Sequence, residues 1–400
     1  MALSKGFKIH KCKQSHAADV DTDVRSLAIT DTVPFSILEH CPCCLAVDFS
    51  ILAALISDSG KKIRIGVCNK CGYVGYLDRP TEKWMEEYYT KIWDNAEIRD
   101  LEHELRSPLA SKLSGEQRDV FEMLMTLSPD KNRAVCDVGC GKGGVLLEFR
   151  ERVFSTLFGV EHSEYRANFT RKKHGFPVIS GAFESGAVTR ELRTHAPFGI
   201  INFSHVLEHI YNPEIALRQC AELQEEGDYI VIAVPHGEKE VPPYVLWWLP
   251  HLHSFNLTSL QHLLSRCGYS VVISNETPTG LAVIARRTRL SHSRPELPPL
   301  NFLAIQVDRF RSWFRFDLMK PRKKYLFAWE KNGRMHLLSP FYADIQSLYH
   351  ELKNFIRRHV FKLPTGRLFA QFIVTTLDQE KMPDAAFEIH YVGPITFLIR

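Results

Sequence analysis

The stretch that decides the fold is Val135-Cys136-Asp137-Val138-Gly139-Cys140-Gly141-Lys142-Gly143-Gly144. An apolar run breaks there into alternating glycines and then reads on as a helix. A strand, a glycine turn and a helix start, in this order, let a ligand approach the backbone closely. Glycine takes the turn with no Cβ in the way, and the first helical amides have no intrahelical partner. Gly139, Gly141 and Gly144 also fit Gly-x-Gly-x-x-Gly, so on the glycines alone a dinucleotide site is the alternative.

The spacing downstream separates the two cofactors. Residues 156–160 read as a second apolar strand ending in Glu161, 24 residues beyond Asp137, where a carboxylate can accept from both hydroxyls of a ribose. A further strand signal at 198–204 runs into His205-Val206-Leu207-Glu208-His209. The Asp-x-Gly-x-Gly-x-Gly turn, the acidic end of the second strand and His-Val-Leu-Glu-His together resemble the class I S-adenosylmethionine (SAM) methyltransferases. The resemblance implies a Rossmann-like, doubly wound α/β domain. It sets the backbone of Gly139 and Gly141 against the methionine part of SAM, Asp137 near its ammonium and Glu161 on its ribose. Cys140, Gly143, Ala182, Phe183 and Ser204 complete the implied cofactor set. Many relatives carry a carboxylate where Ala182 stands, on the adenine amine, and this chain lacks it.

Composition agrees with a globular chain of two or three domains: 400 residues, 45% hydrophobic and 24% charged. A formal charge of +4 argues neither for nor against nucleic acid. No apolar run approaches a membrane span, the first residues lack a secretory apolar stretch, and cytoplasm is the expectation.

Ten cysteines fit a reducing compartment. Cys136, Cys140, Cys220 and Cys267 fall inside core elements, where cysteine acts as a small hydrophobe. Cys41-Pro42-Cys43-Cys44 and Cys68-Asn69-Lys70-Cys71 each hold a C-x-x-C pair, with 23 residues between them that include a strand-like stretch at 62–67. Two such turns can offer four thiolates, Cys41, Cys44, Cys68 and Cys71, to one tetrahedral Zn2+. With four protein ligands the ion is closed to substrate and therefore structural. Cys43 is a spare thiol. Several methyltransferase families that act on sugars carry a similar amino-terminal zinc module, and residues 38 to 95, with Gly72-Tyr73-Val74-Gly75-Tyr76 and Trp84 to Tyr89, resemble it.

The organisation expected is a disordered arm (1–33), a zinc-binding module (34–80), a helical bridge (81–130), the methyltransferase domain (131–288) and a carboxy-terminal α+β extension (289–400). Strands are expected at 134–138, 156–160, 177–180, 199–204, 229–234, 269–275 and 280–285, with helices between most of them. Their alternation implies a mostly parallel sheet that binds ligands at the carboxyl ends of its strands. The extension reads as a helix at 302–316 and strands at 325–329, 368–377 and 386–400.

Methyl transfer from a sulfonium is a direct displacement, and a general base is required when the acceptor is a poorly ionised hydroxyl. Four residues apart, His205 and His209 share one face if a helix follows the fourth strand, and each reads equally as a base or as a hydrogen-bonded core histidine. Glu208 and His253 complete the catalytic candidates. The same five residues spell the inverted zinc-protease motif, with Glu222 or Glu225 available as third ligand. Pro250-His251-Leu252-His253-Ser254-Phe255-Asn256 resembles a run of methyltransferases in polysaccharide pathways. Sugar C-methyltransferases carry Tyr-His-Glu-His nearby, and Trp248 and Pro250 stand where their tyrosine and glutamate fall. The resemblance therefore implies a carbohydrate-type or small-molecule acceptor methylated at oxygen. The alternatives are a sugar C-methyltransferase and an RNA methyltransferase with a zinc ribbon, although for the latter the fourth strand lacks the Asn/Asp-Pro-Pro-Tyr/Phe signature of base-amine methylation. An aromatic insert at 242–249 and basic residues at Lys320, Arg322 to Lys324, Arg357 and Arg358 are possible acceptor contacts.

Overall fold

The computed structural model describes residues 33–56, 62–92, 105, 113, 115–237, 249–277, 280–288 and 301–306, and the backbone of 322–331, 334–337, 367–376 and 385–398. The arm at 1–32, the aromatic insert at 242–248, the proline stretch at 295–299, most of the carboxy-terminal helix and Lys320, Arg357 and Arg358 lie outside the described residues. The chain divides into two units.

The first elements in chain order are β1 (Phe35–Ile37), β2 (Phe49–Ile56), β3 (Lys62–Cys68), β4 (Val74–Tyr76), β5 (Asp78–Pro80), α1 (Glu82–Glu87) and α2 (Gly115–Met125). A π-helical turn, Tyr88–Ile92, continues α1. Then strands and helices alternate: β6 (Ala134–Val138), α3 (Gly144–Glu151), β7 (Leu157–Glu161), α4 (Glu164–His174), β8 (Val178–Ser180), α5 (Gly186–Arg193) and β9 (Phe198–Ser204). They are followed by α6 (Pro213–Glu222), β10 (Tyr229–Pro235), β11 (His253–Ser254), α7 (Leu257–Arg266), β12 (Tyr269–Glu276) and β13 (Gly280–Arg287). Four strands close the chain: β14 (Arg322–Lys331), β15 (Arg334–Leu337), β16 (Arg367–Thr376) and β17 (Ala385–Leu398).

The unit made of 35–49 and 67–306 holds a seven-stranded sheet in the order β12-β13-β10-β9-β6-β7-β8. β8, β7, β6, β9 and β10 are parallel, and β13 runs antiparallel to both β10 and β12. Every residue of β6 is buried, as befits a central strand covered on both faces. Alternate residues serve the two faces: Cys136, Val138, Ile201 and Phe203 join one apolar cluster, Val135, Ile200, Val231 and Ile284 the other. Helix starts are capped by side chains, Ser163 for α4, Asn212 followed by Pro213 for α6, and Asn256 in a capping box for α7.

From β6 the chain runs to β7 on one side, and later returns to β9 on the other. Between β6 and β9 the winding reverses, which opens a crevice at their carboxyl ends. Asp137 and His205 stand at that crevice. This is the Rossmann-like methyltransferase architecture expected from the sequence. The other unit, 1–34, 50–66 and 307–400, is built on β2 paired parallel with β17, followed by β16, β14 and β15 in antiparallel order. Residues 34–80, expected to form one contiguous module, are thus shared between the two units.

Candidate active site

The glycine turn is tied to the neighbouring strand, since the amides of Gly139 and Cys140 both donate to the Val160 carbonyl, at 2.7 and 3.0 Å. Gly139, Gly141 and Gly143 have φ of +67°, +55° and +80°, the left-handed region that costs other residues about 1–2 kcal/mol. A Cβ on Gly139 would stand 2.4 Å from Cγ2 of Val206, whereas one on Gly141 would meet nothing nearer than 3.9 Å. Gly141 therefore faces open space, and Gly139 is a point of close packing. Gly143 begins α3, where a Cβ would press on Thr170 at 2.9 Å. Cys140 turns its sulfur toward Gly159, against which an added Cβ would lie 2.6 Å away.

Two clefts meet at Gly139. The larger, about 320 Å³, is lined by Gly139, Glu161, Ala182, Phe183, His205 and His209 among others. The smaller, about 180 Å³, is bounded by Asp137, Gly139, Cys140, Gly141 and Ser204. Glu161 is held rigidly: its Oε2 accepts from the Gly141 amide at 2.7 Å and its Oε1 from the Ser163 amide at 3.0 Å. Asp137, 2% exposed, accepts from Asn202 Nδ2 at 2.7 Å. Burial pushes its carboxyl up to about 7, against the pull of Asn202 and helped by the charge of Glu161. Ser204 Oγ accepts from Gln117 Nε2 at 3.0 Å, and buried Phe183 packs edge-on against Phe203.

The far end of the larger cleft is a tight turn. His205 sits at φ +57°, with its amide on the Ala233 carbonyl at 2.8 Å, and the His209 amide reaches back to Val206 at 2.9 Å. The expected helix over these residues does not form; α6 starts only at Pro213, where Asn212 caps it. The chain turns back at His205 instead of winding on into a helix, and the turn still brings both histidines to Glu208, His205 Nδ1 at 3.7 Å and His209 Nε2 at 3.8 Å from Oε1. The inverted protease reading loses its helix with this turn. Its spare carboxylates are engaged as well, Glu222 with Arg193 and Glu225 with Arg133.

Glu208 is 1% exposed and neither carboxylate oxygen has a hydrogen-bond partner. Burial would raise its pKa, but His209, His205 and His251 outweigh burial and hold it at about 2. The same carboxylate raises His205 against the effect of burial, while burial lowers His209. His253 does not join the cleft. Its Nδ1 lies 2.7 Å from the Tyr73 hydroxyl and its Nε2 2.8 Å from the Ile210 carbonyl, and burial pushes its pKa down to about 3. It is a neutral strut beneath the turn, which corrects the expectation that it reaches in from its loop.

Several lining residues carry no distinct signal in the sequence. Tyr89, His162 and Arg166 line the larger cleft, and the Tyr89 hydroxyl lies 2.8 Å from His209 Nδ1. Glu184 does too, its carboxyl raised by burial. Asn202 had a readable clue, a lone amide inside an apolar strand that needs a buried partner.

The four cysteines converge as expected. Cys41 and Cys71 sulfurs are 3.5 Å apart, as are those of Cys44 and Cys68, and all four lie within 4.8 Å of one another. Tetrahedral zinc at about 2.3 Å from each sulfur would set them about 3.8 Å apart, so the donor set fits the ion. The two turns match: the amides of Leu45 and Gly72 donate to Cys41 and Cys68, each at 2.9 Å, and both residues have left-handed φ, +64° and +72°. Cys43 is fully buried and outside the quartet.

Residues 112–274 match the family described as methyltransferase domain. That segment is a methyltransferase domain. It contains every strand of the seven-stranded sheet except β13, and both clefts open on it. Two curated relatives are ubiquinone biosynthesis O-methyltransferases. The one from Ralstonia nicotianae is 27% identical over 147 residues, 36% of this chain and 56% of its own length. The one from Thiobacillus denitrificans is 28% identical over 112 residues, covering 26% and 45%. The chain thus spans about half the length of the curated relatives it matches. A solved SAM-dependent methyltransferase from Mesorhizobium loti aligns at 18% identity and TM-score 0.35, over 42% of this chain and 97% of that one.

Proposed function

We propose that the protein transfers the methyl group of SAM to an oxygen of a small-molecule or carbohydrate-type acceptor. The observation that carries this reading is the pair of clefts joined at Gly139. In this reading SAM lies across Gly139, its ammonium toward Asp137, its ribose on Glu161 and its adenine beside Ala182 and Phe183. The relatives' printed activity, O-methylation of a small molecule, supports oxygen as the acceptor atom.

His205 is the base we assign. It lines the cleft with 40% of its side chain exposed, and Glu208 behind it favours the imidazolium that forms as the acceptor proton leaves. The acceptor oxygen takes the methyl carbon, the carbon–sulfur bond breaks with its electron pair going to sulfur, and the proton ends on His205. The quartet of Cys41, Cys44, Cys68 and Cys71 holds one structural zinc ion. None of the nine described cysteines is in a disulfide, which accords with a reducing compartment such as the cytoplasm. Among the described residues no helix is long and apolar enough to cross a membrane.

The test is transfer of labelled methyl from SAM to a panel of catechols, monosaccharides, nucleotide sugars and RNA. Label on the oxygen of a catechol or sugar is the expected result; label on RNA alone would replace this reading by the RNA one.

A further inference from the structure

The geometry points to a divalent-metal site formed by Glu208, His209 and His251, separate from the cysteine quartet. One ligand atom of each lies within 4.8 Å of the other two. The carboxylate is the unusual member, because Glu208 is 1% exposed with both oxygens lacking hydrogen bonds. A charged group left so would be costly, and nature pairs such groups or gives them a metal.

The imidazoles are arranged to complete the set. His209 Nδ1 is 3.1 Å from the Pro250 carbonyl, which can only accept, and 2.8 Å from the Tyr89 hydroxyl, which can accept as well as donate; a proton on Nδ1 serves both contacts. Nε2 is then the nitrogen with the lone pair, and Nε2 is the one that faces Glu208 Oε1 at 3.8 Å. Metal-ligating histidines commonly donate their other N–H to a backbone carbonyl, which fixes ring and tautomer in this way. The His251 ring stands 4.6 Å from that of His209, inclined at 68°. Ligands of a tetrahedral ion at about 2.0–2.2 Å are about 3.4 Å apart, so closure brings the ligand atoms nearer by between about 0.4 Å and about 1.4 Å.

Two histidines and one carboxylate suit a first-row transition ion, Zn2+ among them, better than Mg2+. Three protein ligands leave a position open for water or substrate. His209 lines the large cleft, so the open position would take an acceptor oxygen there. With expansion to five-coordination, an acceptor with two adjacent oxygens, a catechol or a vicinal diol, would chelate the ion. Its bound hydroxyl would ionise more readily before the methyl arrives, the proton passing to His205. This role rests on the methyl-transfer reading; binding of the ion does not.

The experiment titrates Zn2+ into the full chain, with metal content by mass spectrometry and affinity by calorimetry. The parent is expected to hold one ion more than His251→Ala or Glu208→Gln, with affinity for that ion falling on the order of a hundredfold or more in each. Both variants should keep the quartet's ion, a native circular dichroism spectrum and the thermal shift given by SAM. Equal stoichiometry and affinity in parent and variants would overturn the site. Loss of SAM binding by the parent would instead overturn the methyl-transfer reading and leave the metal result standing.

Discussion

Gly139→Ala and Gly141→Ala should part company, although the two glycines are two residues apart and both have left-handed φ. Each pays backbone strain of about 1–2 kcal/mol for placing an alanine there. Only at Gly139 does the new methyl collide, 2.4 Å from Val206 Cγ2, and overpacking of this kind adds about 1–3 kcal/mol. Gly139→Ala should therefore lose about 2–5 kcal/mol of stability, and Gly141→Ala about 1–2 kcal/mol. Urea denaturation followed by circular dichroism measures both. Adding Val206→Ala to Gly139→Ala should return part of the loss, because it removes the colliding methyl. For SAM the order reverses in kind: Gly141→Ala stays folded yet binds SAM weakly, since its methyl points into the space the methionine part would fill. Equal stability losses in the two variants, or full SAM affinity in Gly141→Ala, would refute the assignment of one glycine to packing and the other to the ligand.

SAM affinity should rise by up to tenfold per pH unit from pH 5 to about 7 and then level off. With its carboxyl pushed up to about 7, Asp137 must release a proton before it can face a cationic ammonium. For the unliganded fold the sign is opposite, because a raised carboxyl contributes stability at low pH that is lost as pH rises through about 7. Calorimetry in buffers of different ionisation enthalpy should detect the proton released at pH 6, and Asn202→Leu should move the window to higher pH. Replacing Cys41 and Cys71 by serine should remove one zinc per chain and the cooperative melt, as followed by metal analysis and calorimetry; a metal-free protein that melts cooperatively contradicts the quartet's role. His205→Asn, which tolerates the left-handed backbone, should lower turnover about a hundredfold to ten-thousandfold and erase the acidic limb of the pH profile with SAM affinity kept. His253→Ala should instead lower the melting temperature, because it strands the Ile210 carbonyl and leaves the Tyr73 hydroxyl the longer contact to the Leu252 carbonyl, at 3.3 Å.

The sheet was legible because its inner strands are buried on both faces and read as unbroken apolar runs between turn residues, while the edge strand β12 alternates in exposure. The strand expected at 134–138 is β6 itself, and that expected at 229–234 is β10, Tyr229–Pro235. The positions of Glu161 and of the glycine turn were legible for a related reason, since each stands at the end of an apolar strand. The turn at His205 was not. Nothing in His-Val-Leu-Glu-His announces a histidine at φ +57°, so a spacing of four suggested a helix. The histidines of Pro-His-Leu-His were indistinguishable as letters, yet burial and two hydrogen bonds make His253 a strut while His251 faces Glu208 and His209. Tyr89 belongs to the same class of miss: its place beside His209 depends on a contact 120 residues away in the chain.

The central claim is that SAM, and not a dinucleotide, occupies the clefts joined at Gly139. Isothermal titration of the full chain with SAM and with NAD, repeated on Glu161→Ala, tests it most directly. One SAM per chain is expected, with no heat from NAD and a loss of about 1–3 kcal/mol of SAM binding in Glu161→Ala through the two ribose hydrogen bonds. Binding of NAD in place of SAM, or SAM affinity unchanged in Glu161→Ala, would contradict it.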